Sequence, residues 1–102
     1  MSNKTKYDKV SKQHFKTLDQ YVPVVDRVHG GSHPEFHKVR ELYTDIVNLS
    51  KDAAAQKAGL FDVFDELRKV TNDYTVPGDV CESYEAVYKM LEELDKACRN
   101  SY

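Results

Sequence analysis

Hydrophobic residues recur every three or four positions along most of the chain, which is the spacing of one face of an α-helix. The first series predicts helix 1, whose apolar face contains Tyr7, Val10, His14, Leu18, Tyr21, Val25 and Val28. Pro23 lies inside this series, where it lacks a backbone N–H and crowds the carbonyl of Asp19, so we expect a kink around residues 19–24. The adjacent glycines Gly30 and Gly31 end the helix.

A second series begins after the two glycines. Ser32 and Glu35 have the spacing of a capping box, with Pro34 in the first helical turn, so helix 2 is predicted to begin near His33. Its apolar positions are Phe36, Val39, Tyr43, Ile46 and Leu49. No strong helix breaker follows, and three consecutive alanines favour helix. Two alternatives therefore remain open: a short loop around residues 50–59, or one unbroken helix that joins helices 2 and 3.

The last two series are separated by a turn. Helix 3 is predicted from Leu60, Val63, Phe64, Leu67, Val70 and Tyr74, and helix 4 from Val80, Tyr84, Val87, Leu91, Leu94 and Cys98. Residues 71–78 contain the turn formers, and Asp79 with Glu82 has the spacing of a second capping pair. No stretch alternates with the period of two that is typical of a strand. The predicted fold is all-α, an antiparallel four-helix bundle formed by residues 1–102 as a single domain.

The junction between helices 2 and 3 also affects the expected oligomeric state. If the two helices were fused, their apolar faces would need a second chain to cover them. A homodimer that exchanges helices is the expected result.

Charge is distributed unevenly along the 102 residues. The net charge is −2, with nine Lys and Arg against six Asp and Glu in residues 1–51, and six against eleven in residues 52–102. We expect the two halves to attract each other, within one chain or across a dimer. The overall balance gives no support to nucleic-acid binding. No apolar run approaches the ~20 residues that a membrane span requires, so no membrane association is expected and a cytoplasmic location is predicted.

The two cysteines lie in the predicted helix 4. Seventeen positions separate Cys81 from Cys98, which corresponds to roughly 25 Å along a helix. A disulfide between them is therefore excluded within one chain. We interpret both as small apolar residues of a reduced protein.

Two long stretches resemble a known family. Residues 18–43 read LDQYVPVVDRVHGGSHPEFHKVRELY, with a V-H-G-x-x-H-P turn, and residues 59–94 contain LRKVTNDYT-x-P followed by an acidic residue, one further residue and Cys81. These stretches are similar to the paired helices of the hemerythrin-like di-iron proteins that repair iron–sulfur clusters, the RIC family. The resemblance covers most of the chain. It implies a hemerythrin-like bundle and a connection to iron–sulfur cluster repair.

The resemblance also implies two irons, held by histidines and carboxylates on all four helices. The family's Tyr-His-x-x-His start corresponds here to residues 7–11, YDKVS, in which both histidines are replaced. Its H-x-x-x-E-E and E-H-D segments correspond to the contracted residues 50–59, which contain neither histidine nor glutamate. Its last histidine falls near Ser101, and no histidine follows His37. Because metal affinity depends on ligand number and geometry, we predict a degenerate metal site and no cofactor.

Four side chains remain as weak candidates for binding a cation: Asp8, His14, His33 and His37. His33 and His37 have a one-turn spacing that binds zinc or nickel when a third ligand joins. Roles in the turn and the helix cap are the simpler interpretation of this pair. His14 lies on the apolar face of helix 1, where a packed histidine is expected. No metal site is predicted from these four residues.

The chain contains no recognisable catalytic pattern. A nucleophile with an adjacent base, a glycine-rich phosphate loop and an HExxH motif are all absent from the sequence, so no enzyme activity is predicted. Our hypothesis is a degenerate relative of the cluster repair proteins that acts as a non-catalytic interaction or regulatory module, as a homodimer or with another protein. The alternative is an iron-binding protein involved in cluster repair, whose di-iron site is assembled from the non-standard ligands above or across a dimer.

Overall fold

The computed structural model describes residues 6–51 and 56–101. They form four helices: α1 Lys6–His29, α2 Glu35–Ser50, α3 Gln56–Val70 and α4 Glu82–Ser101. These described residues contain no strand, and the four helices pack as a bundle, so the predicted all-α fold is confirmed. Within the same residues, no helix is both long enough and apolar enough to cross a lipid bilayer.

Neighbouring helices of the bundle are antiparallel. α1 packs against α2 and α4, and α3 packs against the same two helices. Tyr7 at the start of α1 contacts Ser50 at the end of α2, whereas His29 at the end of α1 contacts Cys81, which directly precedes α4. The connection from α1 to α2 and the connection from α3 to α4 therefore lie at the same end of the bundle.

The core is formed by hydrophobic side chains from all four helices. The largest fully buried residues are Tyr7, Leu18, Val22, Phe36, Ile46, Leu60, Phe64, Leu67, Tyr84, Tyr88, Leu91 and Leu94. Three of their rings, those of Phe36, Tyr84 and Tyr88, form one aromatic group, with centroids 5.0 Å apart for Phe36 and Tyr84 and 4.8 Å apart for the two tyrosines. Full burial of a large apolar side chain contributes about 1.5–3 kcal/mol. Packing of these faces is therefore the main source of stability of the bundle.

The buried face of α1 differs in part from the prediction. Tyr21 and Val28 are 36% and 64% exposed, whereas Ser11 and Val22 are buried. The buried positions Leu18, Val22 and Val25 advance by four residues and then by three, and at about 100° per residue Tyr21 and Val28 lie to one side of the line that they form. The sequence period predicted the helix correctly but assigned two residues to the wrong face.

Neither predicted capping pair forms. Pro34 occupies the N-cap position of α2 in a helical conformation, with no side-chain cap hydrogen bond. The Glu35 carboxylate instead contacts the ring of His33, at 3.1 Å from Nδ1. α4 begins at Glu82, three residues after Asp79, and Asp79 also contacts His33. Both acidic side chains thus contact His33, which precedes Glu35 by two residues but belongs to a different connection from Asp79.

The chain reverses direction between α2 and α3. α2 ends at Ser50, and the backbone N–H of Lys51 donates to the Asn48 carbonyl at 3.2 Å. α3 packs back against α2, closely enough that a Cβ on Gly59 would lie 2.8 Å from Cδ2 of Leu49. The alternative of one fused helix is therefore wrong, and the predicted exchange of helices loses its basis. Residues 52–55 of the predicted loop lie outside the described residues, and the homodimer stays a prediction.

The turn after α3 contains three consecutive residues in the left-handed conformation. Asn72, Asp73 and Tyr74 have φ values of 53°, 59° and 60°. This conformation costs an L-residue roughly 1–2 kcal/mol. The Thr71 hydroxyl compensates by accepting the backbone N–H of Tyr74 at 2.8 Å, and the Arg68 carbonyl accepts that of Asp73 at 2.7 Å. The turn directs the Tyr74 side chain into the bundle.

Candidate functional site

The four candidate ligands lie in two separate regions. Asp8 and His14 are in the first half of α1, whereas His33 and His37 lie near its other end. The 24 residues of α1 extend about 36 Å. Because metal–ligand bonds are near 2 Å, Asp8 and His33 cannot share a metal within one chain.

His14 and His37 each pair with a carboxylate on a neighbouring helix. Nε2 of His14 lies 2.5 Å from a Glu93 carboxylate oxygen, which connects α1 to α4. Nδ1 of His37 lies 2.5 Å from Asp26 Oδ1, and Arg40 donates to Asp26 Oδ2 at 3.1 Å, which connects α2 to α1. These two histidines therefore act in helix packing. The predicted one-turn pair of His33 and His37 does not converge, since each ring contacts different carboxylates.

The richest group of reactive side chains lies where the two connections meet. We call His29, His33, Glu35, Asp79, Cys81 and Tyr84 the turn-end cluster. The His33 ring lies between two carboxylates, with Nδ1 3.1 Å from Glu35 and Nε2 3.0 Å from Asp79. The Tyr84 ring holds the two histidines in place. It packs edge-on against both His29 and His33, at centroid distances of 5.6 Å.

Cys81 presents its thiol at the edge of this cluster. Its side chain is exposed, it directly precedes α4, and Sγ lies 3.1 Å from Nε2 of His29. The backbone N–H of Tyr84, followed by His29, lowers the pKa of Cys81 to about 7. Hydrogen bonds to a thiolate and the positive end of a helix dipole favour the charged form. The interpretation of Cys81 as a small apolar residue is therefore wrong.

Cys98 shows the opposite behaviour. It is buried, and desolvation together with the nearby negative charge of Asp95 raises the pKa of its thiol to about 11. The apolar interpretation is confirmed for this cysteine. The two thiols of one helix thus differ because one lies at the helix N-terminus and the other faces the core.

Asp95 is the fully buried carboxylate of the described residues. Arg68 donates two hydrogen bonds to it, at 2.7 and 3.1 Å, and Arg99 donates another at 2.7 Å. The Tyr74 hydroxyl donates to Asp95 Oδ2 at 2.8 Å. Burial, and then this hydrogen bond to a carboxylate, raises the pKa of Tyr74. We call Asp95 and these three donors the interior ion cluster.

The interior donors do not fit a di-iron site. Such a site needs several carboxylates and histidines directed inward at one depth. Both oxygens of Asp95 already accept hydrogen bonds, and two guanidinium groups beside them oppose a further cation. Throughout residues 6–51 and 56–101, no three His, Cys, Asp or Glu side chains are grouped so that they could hold a metal ion.

Comparison with known proteins finds one informative relative. The chain is similar to the iron-sulfur cluster repair protein ScdA of Staphylococcus haemolyticus, with 22% identity over 126 residues. The aligned region covers 90% of this chain and 55% of the relative, so the chain spans about half the length of the curated relative. No protein-family profile matches the chain, and no solved structure matches it. This weak similarity supports the resemblance to the cluster repair proteins at the level of a distant relationship.

The turn-end cluster was missed because its members come from separate connections. His29 and His33 belong to the first turn, whereas Asp79 and Cys81 directly precede α4. Connections 1–2 and 3–4 of an antiparallel four-helix bundle lie at the same end. That topological rule, applied to the predicted helices, would have brought the histidines and the cysteine together.

Proposed function

We propose that the chain is a degenerate, hemerythrin-like relative of the iron–sulfur cluster repair proteins, which acts as a non-catalytic interaction or regulatory module. The interior ion cluster carries this proposal. In the core, where the resemblance implies iron ligands, the buried carboxylate Asp95 is engaged by two arginines and a tyrosine. The histidines of the described residues lie at helix ends and edges, in contacts with carboxylates or with Cys81.

The alignment with the relative supports the same view. About 92 residues of this chain, 90% of 102, take part in an alignment of 126 positions, so about 34 positions of the relative have no counterpart here. A contraction at residues 50–59, as expected from the sequence, would shorten the chain in this way. A bundle that lacks such a block would also lack the ligands that the block carries.

An interaction role is supported by the outer face of α1. Tyr21, Val24 and Val28 are the large exposed hydrophobics of the described residues, and their spacing puts them along one side of the helix. Lys16 and Arg27, also exposed on α1, form no ion pair with other described residues. Exposed apolar residues beside charges are typical of interaction surfaces. The proposed partner is a second copy of the chain or another cytoplasmic protein.

Metal content of the freshly purified protein tests the proposal. The protein is expressed in medium supplemented with iron and zinc, and iron per chain is measured together with the absorption spectrum. We expect iron far below stoichiometric and no oxo-bridged charge-transfer band. About two irons per chain, with such a band, would refute the proposal.

The alternative function is an iron-binding protein of cluster repair with a site built from non-standard ligands or across a dimer. The name of the relative favours it, since iron–sulfur cluster repair is the role printed for that protein. In that case two chains would supply the ligands, from among Asp8, His14, His33 and His37. Stoichiometric iron that is lost in the His33→Ala and His37→Ala variants, together with a dimer in light scattering, would support this alternative.

A further inference from the structure

A cavity opens between the first half of α1 and the end of α2. Its volume is about 410 Å³, and its main lining residues are Lys9, Lys12, Phe15, Val47, Ser50 and Lys51. We call it the α1–α2 pocket. Its volume falls within the range of pockets that bind small molecules, about 300–1,000 Å³. It lies at the opposite end of α1 from the turn-end cluster, and none of its lining residues belongs to the interior ion cluster.

The pocket combines an apolar floor with a positive rim. Phe15 and Val47 are half-buried and pack against the core, and the Phe15 ring is fixed edge-on against Tyr43 at a centroid distance of 5.9 Å. The rim carries three lysine ammonium groups against one carboxylate, that of Asp8. The pocket therefore has an excess of two positive charges beside a hydrophobic surface.

The positive charge of the rim is only partly neutralised by the protein. Lys9 and Lys51 are exposed and form no ion pair with other described residues. Elsewhere, by contrast, Lys38, Lys89 and Lys96 each pair with a glutamate on the same helix. An anion entering the pocket would thus gain two ammonium partners without displacing an existing ion pair.

We propose that the α1–α2 pocket binds a small amphipathic anion, a medium-chain carboxylic acid, with its chain on Phe15 and Val47 and its carboxylate between Lys9 and Lys51. The apolar floor disfavours a purely polar anion such as phosphate, and the ammonium groups disfavour a neutral lipid. A partner helix, about 10 Å in diameter with its side chains, is too bulky for a cavity of this size. This site is independent of the proposed interaction role.

Titration of the isotopically labelled full chain with octanoate tests the proposal by amide NMR. Octanoate stays monomeric at millimolar concentration. We expect saturable shifts confined to the residues that line the pocket, and at least about tenfold weaker binding of 1-octanol, which matches the chain length but lacks the charge. Shifts that fail to saturate at millimolar octanoate, that lie elsewhere, or that are equal for octanol would overturn the proposal.

Matched variants separate the pocket from general charge effects. The double variant Lys9→Glu with Lys51→Glu should weaken octanoate binding at least about tenfold, whereas Lys16→Glu, a charge reversal on α1 outside the pocket, should not. Val47→Trp should abolish binding by filling the pocket. Circular dichroism checks that each variant folds. If Val47→Trp does not fold, the charge variants alone decide whether the proposal holds. Equal loss in Lys16→Glu and the double variant would contradict the assignment.

A vesicle experiment distinguishes the free acid from a membrane source of the same chemistry. Sedimentation with phosphatidylglycerol vesicles should leave the protein in the supernatant. Capture by the vesicles without saturable binding of octanoate would show that the lysines contact an anionic surface, and the proposal of a small-molecule site would then be wrong.

Discussion

Alkylation of Cys81 measures how strongly the turn-end cluster acts on its thiol. With a pKa of about 7, against an ordinary value of 9.0, the thiolate fraction at pH 7 is about one half rather than about one hundredth, a gain of about 50-fold. The intrinsic nucleophilicity of a thiolate falls with its pKa, by about eightfold over two units. The two effects together predict alkylation about sixfold faster than for an unperturbed exposed cysteine.

The assay is the pH dependence of iodoacetamide modification, followed by intact mass. The rate should rise through a midpoint near the pKa of about 7 and then level off, because the thiolate forms as pH increases. Cys98, buried and with a pKa raised to about 11, is an internal control that should stay unmodified in the folded protein. In His29→Gln the midpoint should move upward, since one of the groups that stabilise the thiolate is lost. A rate that still climbs at pH 9.0 in the parent protein would refute the reasoning.

Three substitutions test the packing, each measured by urea unfolding. Asp95→Asn should lower the free energy of unfolding by about 2–3 kcal/mol. This loss is smaller than the loss on breaking a fully buried ion pair, because the Arg68 and Arg99 side chains are 41% and 31% exposed and water screens their charges. Tyr74→Phe should cost about 1.5–3 kcal/mol through the lost hydrogen bond to the Asp95 carboxylate, and an unchanged midpoint would contradict that contact. Gly30→Ala should cost about 2 kcal/mol, because its Cβ would lie 2.6 Å from Cε1 of His37 and against the Asp26 carbonyl oxygen.

The fold was predictable because helix period and turn residues are local properties. Leu18 and Val25 on α1, and Leu91 and Leu94 on α4, lie in the core as the three- and four-residue spacing predicts. Tyr21 was wrongly assigned to the buried face of α1. On a long helix, a spacing of three and four residues fits more than one set of positions along the same face. The packing of α1 against α2 and α4 decides between them, and those contacts are tertiary.

The candidate site was less predictable than the fold. Glu35 has the right spacing for a helix cap but contacts His33, and Cys81 acquires its properties from His29, 52 positions away along the chain. Spacing arguments describe neighbours within one helix, whereas the Glu35 contact joins a helix to the turn before it and the Cys81 contact joins the ends of two helices. Asp95 was likewise not singled out, because its partners Arg68 and Tyr74 come from α3 and the following turn.

The left-handed turn at Asn72, Asp73 and Tyr74 has a consequence for the order of folding. Three consecutive residues in a disfavoured conformation give this turn little tendency to form by itself. The Thr71 hydroxyl and the Arg68 carbonyl offset part of this cost locally, and the Tyr74 hydroxyl adds its hydrogen bond to Asp95 only once α4 is helical. We therefore expect this turn to be unformed in the folding transition state, so that substitutions in it change the unfolding rate far more than the folding rate.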